Sequence, residues 1–325
     1  MLNAAFVLDL DVFDDVYGGP RERLKRTARV VYGPVARPEL GRMGEVEVLC
    51  SSWGGPVLDE ALLDAAPRLK LVLHAAGTVR KIVTPEFWER GIPLVSAFRA
   101  NAVPVADFTV AQIVYALKRG WWHVLRAREG WAPAERVAGA GTYGSRVGLL
   151  SLGAIGRLVA SRLRPLDVEV VAYDPFTEPG AAEELGVRPV GIEEVFATCD
   201  VVSVHTPLLP ETRGLVGRDL LAAMREGATL VNTSRGAVID EPALVEVLAE
   251  RPDLFAVLDV TDPEPPVAGS PLFALPNVIV TPHIAGSLGP ERARLGDLVV
   301  DELERFASGE PLRHALTRES AERLA

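Results

Sequence analysis

The chain has 325 residues, a length that favours two domains over one, and 48% of them are hydrophobic, which is enough for sizeable cores. The formal net charge of −10 argues against nucleic acid or an anionic membrane surface as a partner. Two isolated cysteines supply neither a disulfide framework nor a metal site. The chain shows no basic leader and no apolar run judged long enough to span a bilayer, so a cytoplasmic protein is expected.

Short apolar runs alternate with helical patterns along the whole chain, which indicates a parallel α/β architecture. In the first third, strands are predicted at 4–8, 46–51, 70–74 and 92–95, and helices at 21–28, 58–65 and 103–118. Segment 120–144 is rich in glycine and tryptophan and is predicted to be an arm outside the core.

The middle of the chain is more regular. Strand 147–152 leads through Gly153 into helix 154–163, which Pro165 ends, and strand 168–173 stops at Asp174. Further strands are predicted at 201–205, 228–232, 255–259 and 278–281, with helix 241–250 joining two of them. A helical pattern at 286–306 leads into a tail, 309–325, which is expected to pack on the first third.

The strand-to-helix turn around Gly153 is typical of a dinucleotide site. Gly153 would let backbone amides approach a pyrophosphate, and Gly156 would let the helix pack close to the sheet. Ser151 replaces the first glycine of the fingerprint; it is expected to keep a negative φ and to weaken, not abolish, cofactor binding. Asp174 ends the next strand where a carboxylate binds ribose hydroxyls and repels a 2′-phosphate, so NAD is preferred over NADP.

Three chemically distinct residues follow predicted strand ends downstream of this turn: Arg235, Glu264 and His283. An arginine can bind a substrate carboxylate and polarise its carbonyl, a histidine can supply a proton, and an adjacent carboxylate favours the charged imidazole. Taken singly, Arg235 could be a solvated surface residue, Glu264 an acid in a rigid surface loop and His283 a buried core residue. Together, and in this order, they predict the reduction of a 2-keto acid.

Several segments resemble the D-2-hydroxyacid dehydrogenase family, and the resemblance covers nearly the whole chain. The segments are 153–157 with 173–175, then 205–212, 232–236, 258–265 and 281–286. The resemblance implies a two-domain α/β fold. A Rossmann-type doubly wound parallel sheet for the cofactor, residues 103–286, would be inserted into a smaller flavodoxin-like substrate domain made of residues 1–102 and 287–325.

The resemblance also implies roles for individual residues. Arg235, Glu264 and His283 would be catalytic, and Asp259 would accept a hydrogen bond from the nicotinamide carboxamide. The expected cofactor-binding residues are Gly153, Ala154, Ile155, Gly156, Asp174, His205, Thr206, Pro207, Thr212, Thr233, Ser234, Asp259 and Gly286. The substrate would be bound by Ala76, Gly77, Thr78 and Arg235.

The implied activity is hydride transfer between NAD(H) and a 2-hydroxy acid/2-keto acid pair, as in D-2-hydroxyacid dehydrogenases and glyoxylate or hydroxypyruvate reductases. Formate dehydrogenases are disfavoured because they carry glutamine where this chain has Glu264, and phosphoglycerate dehydrogenases because no regulatory domain follows. The alternative is an NAD-sensing, co-repressor-like binding module with little turnover.

Three further features remain open at the level of sequence. In the family, the segment that corresponds to the Trp121–Trp131 arm usually mediates a homodimer, so a homodimer through the cofactor domain and this arm is expected. Arg80, next to the substrate loop, is either surface charge or a site for a second anionic group of the substrate. Trp53 either walls the pocket or belongs to the core.

Overall fold

The computed structural model describes residues 1–128, 130, 141–178 and 180–323, so the expectation for Trp131 lies outside the described residues. The chain divides into two compact units. Unit 1 comprises Met1–Asn101 and Ser287–Leu324, and unit 2 comprises Ala102–Gly286. Unit 1 is therefore built from two separated stretches of the chain, and unit 2 from one continuous stretch.

The elements are numbered in chain order. The strands are β1 (Leu2–Val7), β2 (Ala28–Val35), β3 (Val48–Ser51), β4 (Leu71–His74), β5 (Leu94–Ser96), β6 (Ser145–Leu150), β7 (Val168–Tyr173), β8 (Arg188–Pro189), β9 (Val201–Val204), β10 (Thr229–Asn232), β11 (Phe255–Leu258), β12 (Val278–Val280) and β13 (Ala315–Leu316). The α-helices are α1 (Phe13–Tyr17), α2 (Arg21–Thr27), α3 (Glu60–Ala65), α4 (Pro85–Glu89), α5 (Phe98–Leu117), α6 (Gly120–Ala127), α7 (Ala154–Leu163), α8 (Ala181–Glu184), α9 (Ile192–Thr198), α10 (Arg218–Ala222), α11 (Glu241–Glu250), α12 (Ala293–Ala307) and α13 (Arg318–Glu322).

The sheet of unit 1 has the order β13-β5-β4-β3-β1-β2, with β13 antiparallel to β5 and the other pairs parallel. Strands β3 and β4 are buried along their whole length, as expected for parallel strands covered on both faces. Helix α12 supplies Leu295, Val299, Val300 and Leu303 to the core cluster that covers one face of this sheet. The returning segment is therefore part of the core of unit 1.

Polar contacts also hold the returning segment. The buried carboxylate of Glu302 accepts the backbone N–H groups of Arg313 at 2.8 Å and His314 at 3.2 Å, just before β13. The Arg80 guanidinium donates to the carbonyl oxygen of Glu322 at 2.5 Å, near the end of α13. A cation is favourably placed at a helix C-terminus, so this contact supports the surface interpretation of Arg80.

The sheet of unit 2 is parallel throughout, in the order β12-β11-β10-β9-β6-β7-β8. From β6 the chain first builds β7 and β8 on one side and then β9 to β12 on the other, so the strand order reverses between β6 and β9. In doubly wound sheets, ligands bind at the carboxyl ends of the strands at this switch point. The predicted α/β class, with a doubly wound parallel sheet, is confirmed.

Three of the differences between the structure and the predicted elements bear on the fold. Strand β2 was not predicted; it is an edge strand, and Arg29, Gly33 and Pro34 interrupt its apolar residues. Helix α5 begins at Phe98 and includes Pro104, whereas the prediction started it just before this proline. The predicted arm begins with helix α6, whose Trp121 and Trp122 are partly buried and pack on a core cluster of unit 2. The start of the arm therefore packs on its own unit.

Helix α5 is long and apolar enough, by length and composition alone, to cross a membrane, which the sequence prediction did not allow for. In the structure, 44% of its most apolar window is buried inside the fold. A core helix of a folded protein passes the same test. Its buried residues include Val105, Thr109 and Ile113.

Candidate active site

The turn between β6 and α7 fits an anionic group. Helix α7 begins at Gly153 without a side-chain cap and has no acidic residue in its first turn, so its first amides and the helix dipole favour an anion. A Cβ at Gly153 would meet open space, whereas a Cβ at Gly156 would lie 2.2 Å from the carbonyl oxygen of Ser151. Gly156 thus lets the helix pack on the turn, and these residues fit the pyrophosphate of a dinucleotide.

Ser151 adopts a left-handed conformation with φ +76°, so the expectation of a negative φ was wrong. This conformation costs a non-glycine residue roughly 1–2 kcal/mol. It is fixed from both sides, because the Ser151 N–H donates to the carbonyl oxygen of Tyr173 at 2.8 Å and the Ser151 carbonyl lies against Gly156. The Ser151 hydroxyl is 3.1 Å from the Thr206 hydroxyl at the end of the neighbouring strand.

Asp174 follows β7 and faces the same turn. Its Oδ2 accepts the N–H of Leu152 at 2.6 Å, and its Oδ1 accepts the N–H of Phe176 at 2.8 Å. A carboxylate offers about four lone-pair sites, so two backbone bonds leave capacity for ribose hydroxyls. Asp174 therefore holds the turn, and its contact with the ribose stays a prediction.

His205 lies under the turn as a neutral, buried ring. Burial lowers the pKa of His205 to about 4, and its Nε2 is 3.0 Å from the Ser203 hydroxyl. Within the described part of the chain, its buried Nδ1 has no hydrogen-bond partner. A Cβ at Gly156 would lie 3.7 Å from the His205 ring, which places this histidine against the start of α7.

The remaining predicted cofactor residues of this edge are held by short polar contacts. The Thr212 hydroxyl donates to the carbonyl oxygen of Pro207 at 2.5 Å and closes the loop after β9. The Thr233 hydroxyl, after β10, is 2.8 Å from the hydroxyl of Thr109 on helix α5. Thr109 in turn donates to the carbonyl oxygen of Val105 at 2.7 Å, so this pair fixes the end of β10 against the helix.

Arg235 lies on a tightly braced turn after β10. The buried Asn232 amide accepts from the N–H and the hydroxyl of Ser234, both at 3.0 Å, and donates to the carbonyl oxygen of Arg235 at 3.0 Å. Nη1 of Arg235 donates to the carbonyl oxygen of Ser234 at 2.7 Å. A Cβ at Gly236 would lie 2.1 Å from the backbone of Thr261. The arginine turn thus packs directly on the loop that carries the predicted catalytic acid.

His283 and Glu264 form a pair, with Nδ1 of the ring 2.5 Å from Oε1 of the carboxylate. The two side chains are 47% and 42% exposed, so solvent and a small ligand can reach them. Exposed ion pairs contribute little to stability, and His283 also has a φ of +53°, which is unusual for a non-glycine residue. Such features cluster at functional sites. With Nδ1 facing Glu264, Nε2 is the ring nitrogen left for a substrate.

Asp259 braces the histidine loop, a role that the sequence did not predict. Its buried carboxylate accepts from the Thr281 hydroxyl at 2.5 Å and from the N–H groups of Ile284 and Ala285, both at 2.9 Å. The His283 N–H donates to the Asp259 carbonyl oxygen at 3.0 Å. Its contact with the nicotinamide carboxamide stays a prediction.

The predicted substrate loop follows β4 in unit 1, whereas Arg235 belongs to unit 2. The Ser96 hydroxyl donates to the carbonyl oxygens of Ala76 at 3.0 Å and Gly77 at 2.6 Å. His74, at the end of β4, lies 2.9 Å from the Ser51 hydroxyl, and burial lowers its pKa to about 4, partly offset by a hydrogen bond to the Thr78 backbone. The loop is therefore anchored from two neighbouring strands.

Trp53 lies on the same carboxyl edge of the sheet of unit 1, after β3. Its ring is partly buried against the core of that unit, and the guanidinium of Arg292 lies 5.5 Å from its centroid. Arg292 also pairs with Asp15 at 2.9 Å. These contacts support the core interpretation of Trp53.

Sequence reasoning did not predict that the following residues position the predicted ones, although Asp259 was itself a predicted cofactor residue. Asn232 ends strand β10 and bonds to the backbone of the turn that follows it. Asp259 follows strand β11 and bonds to the backbone of the segment after β12. An Asn or Asp at a strand end that caps the next turn is a recognisable signal. Thr109 left no such signal, because Thr233 lies far away along the chain.

Comparison with known proteins agrees with this geometry. Residues 110–285 match the family described as D-isomer specific 2-hydroxyacid dehydrogenase, NAD binding domain. A D-3-phosphoglycerate dehydrogenase of Archaeoglobus fulgidus is 33% identical over 265 residues, which cover 82% of this chain and 50% of that protein. A glyoxylate reductase of Korarchaeum cryptofilum is 33% identical over 282 residues, covering 85% of this chain and 84% of that protein.

The chain spans about half the length of the phosphoglycerate dehydrogenases that it matches. Among solved structures, the TT0316 protein of Thermus thermophilus is 32% identical with a TM-score of 0.74, covering 98% of this chain and 100% of that one. An NAD-complexed D-isomer specific 2-hydroxyacid dehydrogenase of Lactobacillus delbrueckii ssp. bulgaricus, 21% identical with a TM-score of 0.82 and the same coverage, shares the fold. The chain belongs to the D-isomer specific 2-hydroxyacid dehydrogenase family.

Proposed function

We propose that this chain is an NAD-dependent 2-hydroxyacid dehydrogenase that interconverts a 2-keto acid and the corresponding D-2-hydroxy acid. The observation that carries the proposal is the accessible His283–Glu264 pair, with 2.5 Å between Nδ1 and Oε1. The close packing of Gly236 on Thr261 brings the Arg235 turn against the same acidic loop. The proposal therefore brings a cation, an acid and a proton donor together in a domain that matches the NAD-binding domain of the family.

Bound NADH would supply the hydride that the keto carbon receives. Arg235 binds the substrate carboxylate and stabilises the negative charge that develops on the carbonyl oxygen. His283 gives its Nε2 proton to that oxygen, and Glu264 stabilises the charged ring beforehand. In the oxidative direction, the same ring nitrogen takes the proton from the hydroxyl group. Asp259 keeps the ring in position through the backbone on both sides of it.

The cofactor is inferred to be NAD in preference to NADP. Asp174 is fixed beside the nucleotide turn by two backbone N–H groups, and its carboxylate would accept ribose hydroxyls and repel a 2′-phosphate. The predicted set at this edge, from Gly153–Gly156 through His205–Pro207, Thr212 and Thr233–Ser234 to Gly286, would hold the rest of the cofactor.

Unit 1 is inferred to be the substrate domain and unit 2 the cofactor domain. Ala76, Gly77 and Thr78, on the anchored loop after β4, would bind the substrate. The relatives are named as enzymes of 3-phosphoglycerate and glyoxylate, so small hydroxy acids with a short or phosphorylated side chain are the first candidates. The phosphoglycerate class is no longer disfavoured, since those relatives match over most of this chain.

A cytoplasmic homodimer that associates through unit 2 and the arm is part of the proposal. Helix α6 has no fully buried residue, and Arg126 lies 4.5 Å from the ring centroid of Trp122 on it. Partly exposed aromatic and arginine side chains are enriched in protein interfaces. Light scattering on the purified chain tests this point, and a monomer at micromolar concentration would contradict it.

The decisive experiment is steady-state reduction of a panel of 2-keto acids with NADH and with NADPH. The panel comprises glyoxylate, hydroxypyruvate, 3-phosphohydroxypyruvate, pyruvate and 2-ketoisocaproate. We expect turnover of at least one of them, D-configuration in any chiral product and a preference for NADH. NADH binding without turnover of any acid would reject the enzyme and favour the NAD-sensing module.

A further inference from the structure

The contact between Ser151 and Thr206 joins the two halves of the sheet of unit 2. Ser151 comes directly after β6, and Thr206 comes two residues after β9, the adjacent strand on the other side of the switch point. Their hydroxyl oxygens are 3.1 Å apart. Since ligands of doubly wound sheets bind above this point, the hydroxyl pair lies at the base of the predicted dinucleotide crevice.

A carbonyl group beneath the pair offers Thr206 a second partner. The Thr206 hydroxyl lies 3.4 Å from the carbonyl oxygen of Leu150, and when it donates there, the Ser151 hydroxyl is the donor to Thr206. The Ser151 proton is then engaged within the protein, and its oxygen can only accept from a further group. Ser151 is therefore poorly suited to donate to a pyrophosphate oxygen and well suited to hold Thr206.

The left-handed backbone of Ser151 needs a reason. Its φ of +76° suits glycine, yet the position carries a side chain whose hydroxyl reaches the next strand. Strained residues persist where the surrounding structure fixes them, and they cluster at functional sites. Glycine would relieve the strain, but it would leave Thr206, which is buried, without this partner.

We propose that the Ser151–Thr206 hydroxyl pair pre-organises the crevice between β6 and β9 and thereby sets the affinity of this chain for NADH. Ser151 acts as a positioning residue through Thr206 and makes no donor contact with the cofactor itself. The inference rests on the proposed function, because it assumes that this crevice takes the dinucleotide. It goes beyond that function by assigning a role to the residue that replaces the first glycine of the turn.

The test is NADH binding to the full chain, measured by fluorescence titration, together with thermal unfolding. Ser151→Ala should raise the Kd for NADH roughly three- to tenfold, the loss expected for one neutral hydrogen bond. Thr206→Val should weaken binding at least as much, since Thr206 is also a proposed cofactor residue, and the double variant should be no worse than Thr206→Val alone, because both changes remove the same bond. Ser151→Gly should bind NADH as weakly as Ser151→Ala and yet unfold at a higher temperature, since glycine tolerates the positive φ.

Ser145→Ala is the matched control. Ser145 is at the other end of β6, and its buried hydroxyl donates to the carbonyl oxygen of Gly141 at 2.6 Å. Its loss should lower the unfolding temperature and leave the NADH Kd unchanged. If Thr206→Val does not fold, Ser151→Ala and Ser151→Gly carry the test, because both remove the hydrogen bond and leave Thr206 in place.

Three results would overturn the inference: wild-type affinity in Ser151→Ala, additive losses in the double variant, or wild-type affinity in Ser151→Gly. The second would mean that each hydroxyl contacts the cofactor separately, and the third that backbone strain alone matters. A wild-type chain that does not bind NADH would instead overturn the proposed function, and the inference with it.

Discussion

Replacing Gly236 by alanine tests whether the spacing between the arginine turn and the acidic loop matters. The new Cβ would lie 2.1 Å from the carbonyl carbon and oxygen of Thr261, where 3.4 Å or more is an ordinary contact. Both neighbours are backbone, so the Arg235 turn must move away by roughly 1 Å, a displacement that can cost on the order of a hundredfold in turnover. Overpacking of this kind also destabilises by roughly 1–3 kcal/mol.

The assay for Gly236→Ala is kcat/KM with a 2-keto acid that the wild type reduces, alongside NADH titration and thermal unfolding. We expect kcat/KM to fall about a hundredfold, while NADH binding persists and shows that unit 2 is folded. Gly217→Ala is the control, because its φ is −91° and the nearest atom to its Cβ would be 3.8 Å away. Wild-type turnover in a folded Gly236→Ala variant would refute the argument that this contact positions Arg235.

His283→Ala should leave NADH binding nearly intact and lower turnover about a hundredfold or more, the usual scale for losing a general acid; equal turnover would remove His283 from the mechanism. Asp174→Ala should weaken NADH binding and reduce the preference over NADPH, and an unchanged ratio of the two Kd values would count against the ribose contact. Acid should destabilise the fold through His74 and His205. In the folded protein the pKa of each ring is about 4, below the ordinary value of 6.5, so these histidines take up protons at a higher pH in the unfolded chain. The stability that the two neutral rings contribute is complete above pH 6.5 and is lost as the pH falls towards 4, by about 3 kcal/mol for each ring. A free energy of unfolding that stays constant across this pH window in chemical denaturation would contradict this prediction.

Local sequence signals predicted the elements whose ends are marked by helix- or strand-terminating residues. Helices α7 and α11 and strand β7 have the predicted bounds, because glycine, proline or aspartate marks their ends and their apolar periodicity is regular. Strand β2 was missed for the converse reason: it lies at the sheet edge, and Arg29, Gly33 and Pro34 interrupt its apolar residues. Its pairing with β1, added to the local β preference of Val30, Val31 and Tyr32, makes it a strand.

The candidate site was predictable in its residue types and less so in its geometry. Arg235, Glu264 and His283 follow from chemistry, order and family resemblance, but no spacing rule gives the 2.5 Å contact between Glu264 and His283, which are 19 positions apart in the sequence. The positive φ of Ser151 was equally beyond reach, because it depends on contacts with Tyr173, Gly156 and Thr206, which only the folded sheet brings together.

The split composition of unit 1 has a consequence for how the protein is made on the ribosome. Strands β1 to β5 emerge first, but the apolar face that Leu295, Val299 and Leu303 cover must wait for α12, nearly two hundred residues later in translation. Unit 2, by contrast, is synthesised without interruption and can complete its sheet before the chain is finished. The nascent chain therefore exposes an incompletely covered sheet face for most of its synthesis, which is the period when it most needs a chaperone.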